Sequence, residues 1–189
     1  GTNEIYAVGS DAKKLIGKTN EDICVISPIR NGVVVNLDMA QKMFQYFYKK
    51  VVPSKSIFDS IDVLLCVSNG LGDNQISDFK EVIFSSGIGN VSTVPSSIVS
   101  LVGAGVNIDR PSAVISLNIG GGTTDFALVS LNEIVNGFSI NFGGEDMDKS
   151  IRDYIYHTKG LEISLMSAEK LKNECLSLYS NDLSNMEVN

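Results

Sequence analysis

Asn118-Ile119-Gly120-Gly121-Gly122-Thr123-Thr124-Asp125 decides the reading of this chain, because three consecutive glycines separate the apolar runs 113–117 and 126–129. Both runs have the length and composition of strands, so the segment is predicted to be a hairpin bend. Three glycines permit positive φ and carry no Cβ, which lets successive backbone N–H groups converge on an anion. A P-loop is a different device, since it needs Gly-Lys-Ser/Thr at the opening of a helix. A glycine-rich turn with no ligand is the plain alternative.

Further along, Gly143-Gly144-Glu145-Asp146-Met147-Asp148 follows the apolar run 138–142 and opens a pattern in which Met147, Ile151, Tyr154 and Ile155 recur at helical spacing. The order is strand, glycine hinge and helix N-terminus, with free N–H groups that let ribose or phosphate approach. Glu145 and Asp146 in the first turn also suit the helix dipole as ordinary capping groups.

NIGGGTTDFALVSLNEIV (118–135), GGEDMD (143–148) and SAEKLKNECLSLYSNDLSNMEV (167–188) resemble the MreB family of bacterial actin homologues. A more distant likeness is to the ATPase domain of heat-shock chaperones, and all belong to the actin-like ATPase superfamily. Residues 7–51 are similar to the MreB passage from the small upper subdomain back into the first large one. The resemblance implies an α/β, ribonuclease-H-like actin fold, of which this chain is a middle fragment spanning parts of two lobes. Residues 1–27 would be part of the small upper subdomain of the first lobe and 28–110 part of its large subdomain. Residues 111–158 would hold the phosphate hairpin of the second large subdomain, and 159–189 would begin the second small one.

The ligand implied is ATP, or another purine nucleotide, with Mg2+. The implied binding residues are Gly120, Gly121, Gly122, Thr123, Thr124 and Asp125 in the hairpin and Gly143, Gly144 and Glu145 at the hinge. Glu169 and Lys172 join them, because a Glu-x-x-Lys pair here contacts adenine and ribose in the chaperone relatives. Two bland readings stand beside these: Glu169 and Lys172 as a surface ion pair, and Asp125 as a turn terminator accepting backbone N–H bonds. Two positions depart from the family. Asn118 stands where an aspartate holds nucleotide-bound magnesium, and a neutral amide brings no negative charge to a hard cation. In Thr93-Val94-Pro95-Ser96-Ser97, Val94 stands where a carboxylate before proline is proposed to activate the attacking water. Binding with weakened magnesium affinity and impaired hydrolysis is therefore expected, with no catalytic residue and no direct metal ligand assigned.

Composition excludes several classes. The 189 residues are 43% hydrophobic, enough for one or two compact α/β units, and a formal net charge of −7 opposes a nucleic-acid surface. One histidine, His157, leaves zinc clusters and hydrolytic triads little support. Cys24, Cys66 and Cys175 lack metal spacing and suit buried, reduced thiols. No apolar run is long enough to span a membrane, so a cytoplasmic protein is expected, at most peripheral at the inner membrane face. In MreB an apolar loop near the position of Lys55-Ser56-Ile57-Phe58 enters the membrane face. Ile57 and Phe58 beside Lys49, Lys50 and Lys55 either do the same or pack onto the sheet.

Along the chain, the pattern predicts a strand at 5–8, a helix at 11–17 capped by Ser10, a buried strand at 33–37 and a helix at 39–51 capped by Asp38 and ended by Pro53. An interior parallel strand covered on both faces follows at 61–67, then a helix from 73 or 74 to 86, a strand at 91–94 and a helix at 97–102. Adjacent strands at 113–119, 124–130 and 134–142 form a β-meander, and the tail 181–189 is polar. A ribonuclease-H-like half normally opens with a glycine hairpin. A first phosphate hairpin is thus expected upstream of Gly1, and an adenine-site glycine motif beyond Asn189. The expected role is a filament subunit for cell shape and cell-wall organisation, associating with itself and with cell-shape or division proteins. An active chaperone-type ATPase and a non-enzymatic scaffold on the same fold are the alternatives.

Overall fold

The computed structural model describes residues 4–19, 22–52 and 61–175. Helix α1 (Ser10–Lys13) is followed by a small antiparallel ladder of β1 (Ile29–Arg30) and β2 (Val33–Val34), joined by Asn31 and Gly32 with φ of 49° and 74°. Two positive φ values at a two-residue loop give a turn whose twist matches the strands it connects. Helix α2 (Leu37–Val51) starts where the Asn36 side chain accepts the Met39 N–H at 3.0 Å.

Strand β3 (Asp62–Val67) runs parallel to β4 (Asn90–Pro95), with Asp62 opposite Asn90 and Val67 opposite Pro95. Helix α3 (Asp73–Phe84) makes the crossover between them, burying Val82 and Ile83. A parallel pair needs such a crossover, since no short turn can return the chain to the same end. Helix α4 (Ser96–Gly103) leaves β4 directly and packs on both the parallel pair and the second sheet.

That second sheet is the antiparallel meander β5 (Val114–Ile119), β6 (Thr124–Ser130) and β7 (Glu133–Ile140). On the β6 face toward α4, Ala127 and Val129 are fully buried and join Leu101 and Ile108 in a core flanked by Ile98, Val106, Val114 and Ile134. Helix α5 (Gly144–Lys159) ends at Gly160 in the left-handed region (φ 65°), and α6 (Leu165–Cys175) packs along it.

The α/β order, the parallel pair and the meander agree with the sequence reading, and the details correct it in six places. The helix expected at 11–17 covers only Ser10–Lys13, with Gly9 at the N-cap position and Ser10 as its first residue instead of its cap. Residues 5–8 form no strand, and Ile5 and Tyr6 are exposed. Of the strand expected at 33–37 only Val33 and Val34 are in the ladder: the Val35 and Asn36 N–H groups both donate to Pro28 O, and Leu37 already belongs to the helix. Asn36 caps α2, whereas Asp38 lies in the first turn and pairs with Lys42 at 2.7 Å. Strand β3 is not covered on both faces among the described residues: Leu64 is 63% exposed, and Cys66 is exposed too. The thiols are free but not buried, with Cys24 exposed and Cys175 intermediate. Pro53, Lys55, Ile57, Phe58 and the tail lie outside the described residues.

Candidate functional site

The glycine segment is a hairpin between β5 and β6, closed by the Gly120 N–H donating to Thr123 O at 2.8 Å. Its outer carbonyls are held by the second glycine motif. Gly144 N donates to Gly120 O at 2.9 Å and Glu145 N to Gly121 O at 2.8 Å. The two motifs that sequence separates by some twenty residues are thus one substructure. Contact this close requires Gly143 to lack a side chain, since a Cβ there would stand 2.5 Å from Gly121 O.

These bonds overturn the expectation of free N–H groups at the start of α5. Gly144 and Glu145 spend theirs on the hairpin, Asp146 and Met147 bond back to Gly143 O, and Gly143 N donates to Asp146 Oδ2. The same bonds orient the hairpin tip. In a trans peptide the C=O and the following N–H point in opposite directions. With Gly120 O and Gly121 O turned toward α5 and no cis peptide present, the N–H groups of Gly121 and Gly122 point away from it. Neither finds an acceptor among the described residues. Gly121 is open on its outer side, where an added Cβ would meet only Glu145 Oε1 at 3.7 Å, whereas Gly122 is packed against Asn31. The arrangement offers adjacent donors to an anion, with Glu145 and Asn31 as the neighbouring side chains.

Asp125, next in the ladder opposite Asn118, is 3% exposed. Its Oδ2 accepts from Ser68 Oγ at 3.0 Å and Ser96 Oγ at 2.8 Å, and its Oδ1 from the Asn69 N–H at 3.2 Å. Asn69 adds bonds from Nδ2 to Ser97 Oγ at 2.7 Å and Phe126 O at 3.0 Å. Ser68 and Asn69 follow β3 and Ser96 follows β4, so the carboxylate joins the carboxyl ends of both parallel strands to the hairpin. In open α/β sheets ligands lie at these strand ends. Asn118 and Val94 come to the same place, the first as the ladder partner of Asp125 and the second two residues before Ser96. Thr123 Oγ1 lies 3.4 Å from Ser68 Oγ, and the Thr124 hydroxyl donates to Phe142 O at 2.7 Å.

Glu169 and Lys172 share α6 but do not pair with each other. Lys172 Nζ is 2.8 Å from Asp148 Oδ1 and donates to Gly144 O at 2.9 Å, both side chains being largely buried. The ammonium sits off the hydrogen-bond direction of Oδ1, so it neutralises that carboxylate chiefly by charge. Glu169 Oε1 instead receives Lys13 Nζ from α1 at 2.7 Å. The Lys149 ammonium at 2.8 Å and the Gly143 N–H hold the Asp146 carboxyl below its usual range.

Lys13, Asn31, Ser68, Asn69, Ser96 and Asp148 are site residues that the sequence reading missed. The polar Ser68-Asn69-Gly70 run at the end of an apolar strand was the available signal. Two grooves, lined mainly by residues 4–28 and by α2, lie away from the hairpin. Among the described residues no three His, Cys, Asp or Glu side chains gather as a metal site. The adjacent N–H groups of the tip suit the oxygens of a phosphate, and a magnesium ion there would take its oxygens from phosphate and water.

Comparison with known proteins supports the fold and shows the family. The Escherichia coli K12 cell shape-determining protein MreB is 32% identical over 178 residues, covering 94% of this chain and 51% of that protein. The crystal structure of MreB5 of Spiroplasma citri bound to AMPPNP superposes with a TM-score of 0.88 at 31% identity, over 95% of this chain and 54% of that one. The MamK double helical filament, at 18% identity and a TM-score of 0.72 over 89% of this chain and 51% of that one, shares the fold. The chain spans about half the length of the curated relatives it matches. The MreB/Mbl protein family model matches residues 1–189, and the chain belongs to that family.

Proposed function

We propose that this chain is the nucleotide-binding middle of an MreB-like actin homologue, a filament subunit that organises cell shape and cell-wall synthesis. The observation that carries the reading is the hairpin tip, where Gly121 and Gly122 direct N–H groups that find no acceptor among the described residues away from α5, beside an open Gly121. The AMPPNP bound by the Spiroplasma citri relative supports a purine nucleotide with its phosphates at that tip. Glu145 and Thr123 lie beside it, and Glu169 and Lys172 on α6 are proposed for the adenine and ribose. Gly143, Gly144, Thr124 and Asp125 act by shaping the hairpin, because their polar groups are already bonded within the protein. Residues 1–27 and 28–110 would belong to parts of one lobe and 111–158 and 159–189 to parts of the other, with nucleotide state setting the angle between them and hence subunit contacts.

Magnesium is held weakly because Asn118 is uncharged, and hydrolysis is slow because Val94 cannot take a proton. Self-association into filaments accords with the shared fold of the MamK filament. No described helix is long and apolar enough to cross a membrane, so contact with the inner membrane face would be peripheral.

Titrating the full-length protein with ATP and Mg2+ tests the reading. Saturable binding with little phosphate release is expected, and no binding at millimolar ATP would favour the scaffold alternative. Asn118→Asp with Val94→Glu should tighten the magnesium-dependent affinity and raise phosphate release at least about 100-fold, the lower bound for a general base. Rapid release by the unaltered protein refutes impaired hydrolysis.

A further inference from the structure

The part of the chain carrying α1, α2 and the parallel pair meets the part carrying the meander, α5 and α6 at two unlike polar places, besides the apolar core that α4 makes with the meander. At the hairpin base the joint is buried and multiple: Asp125 holds Ser68, Asn69 and Ser96, while Asn31 and Gly32 pack on Gly122 and Thr123. Near α6 it is a single ion pair. Lys13 and Glu169, 156 residues apart, meet at 2.7 Å with their side chains 56% and 33% exposed. No other hydrogen bond or ion pair joins α1 to α6 among the described residues.

We propose that Lys13 and Glu169 are a reversible latch, and that the two parts open by separating α1 from α6 while the Asp125 cluster stays intact as the pivot. Opening at the Asp125 end would strand a buried carboxylate and three donors, whereas opening at Lys13 returns two exposed charges to water. The weakness of an exposed pair is what a reversible contact requires. Its strength is screened by salt, so the latch also makes closure sensitive to ionic strength. Lys13 is thereby a positioning residue: it holds Glu169, which shares α6 with the Lys172 that contacts Gly144 O, and so couples α6 to α1.

The test uses full-length protein with its cysteines replaced and spin labels at positions 18 and 170, both exposed lysines outside the latch. Without nucleotide, Lys13→Glu should shift the label distance toward longer values. The exchanged pair Lys13→Glu with Glu169→Lys should restore the short distance, and about 0.5 M salt should lengthen it in the unaltered protein. A distance unchanged by Lys13→Glu, or not recovered by the exchange, overturns the latch. A second readout rests on the nucleotide-binding reading above. At low salt Lys13→Glu should speed nucleotide release about 2–5-fold, and high salt should erase the difference. Equal release rates at low salt count against the latch. If the unaltered protein binds no nucleotide, that reading fails and the distances still decide the latch.

Discussion

Replacing Gly143 with alanine tests the docking of the two glycine motifs directly. The added Cβ would lie 2.5 Å from Gly121 O, 2.6 Å from Gly121 C and 2.7 Å from Gly120 O. All three are backbone atoms, so no side chain can rotate to make room. The hairpin must move off α5, which sacrifices the bonds from Gly144 and Glu145 at about 1 kcal/mol each. Overpacking a buried site adds about 1–3 kcal/mol, and the stiffer unfolded chain of alanine offsets up to about 1 kcal/mol. A net loss of about 3 kcal/mol follows, or roughly 6–12 °C in melting temperature for a domain of this size. Urea unfolding of the full-length protein measures it, with Gly160→Ala as control. Gly160 has φ 65° but nothing within 4 Å of its would-be Cβ, so it should cost only about 1 kcal/mol. If Gly143→Ala is no more destabilising than Gly160→Ala, the motifs are not docked as described.

Asp125→Ala strands three donors in a site 3% exposed and should destabilise by about 3 kcal/mol or more, against about 1 kcal/mol for Ser96→Ala, by chemical denaturation. Asp148→Ala leaves the Lys172 ammonium unpaired and should cost about 3 kcal/mol, whereas Asp148→Ala with Lys172→Met should recover much of it in the same assay. The Asp146 carboxyl is depressed by Lys149 and by the Gly143 N–H, so its contribution is complete above the unfolded value of about 3.9 and disappears as pH falls through the lower folded value. Asp146→Asn should therefore be less stable than the unaltered protein at pH 7, with the difference shrinking in unfolding curves taken well below pH 4.

The legible parts of the fold were those that one segment specifies alone. Glycines between two apolar runs made a hairpin, and helical spacing after residue 73 made α3, because strand and helix periods differ enough to read. Residues 61–67 show where periodicity stops. An apolar run says that a strand can be covered on both faces, while the cover must come from other segments, and among the described residues Leu64 and Cys66 have none. Residues 5–8 are similar: strand composition does not supply a neighbouring edge to pair with.

The site was legible in its backbone and illegible in its charges. Lys172 and Glu169 stand three apart on α6, yet each meets an opposite charge from another element, Asp148 on α5 and Lys13 on α1. Helical spacing puts two side chains on one face with their Cβ atoms about 5–6 Å apart, but leaves their long ends free to turn to a nearer partner. Asp125 reads the same way. In sequence it is one acid after two threonines, and only the meeting of the β3 and β4 ends with the hairpin turns it into a structural joint. Its carboxylate is then unavailable to a ligand as a free acceptor, while Glu145 Oε1 stands 3.7 Å from where a Gly121 Cβ would be. A phosphate arriving there meets a carboxylate as well as amides, so a cation between them should improve binding even though Asn118 does not hold it. Measured without Mg2+, the affinity of the full-length protein for ATP should rise when Glu145 is changed to Gln; a fall would place Glu145 on the ribose instead of beside the phosphates.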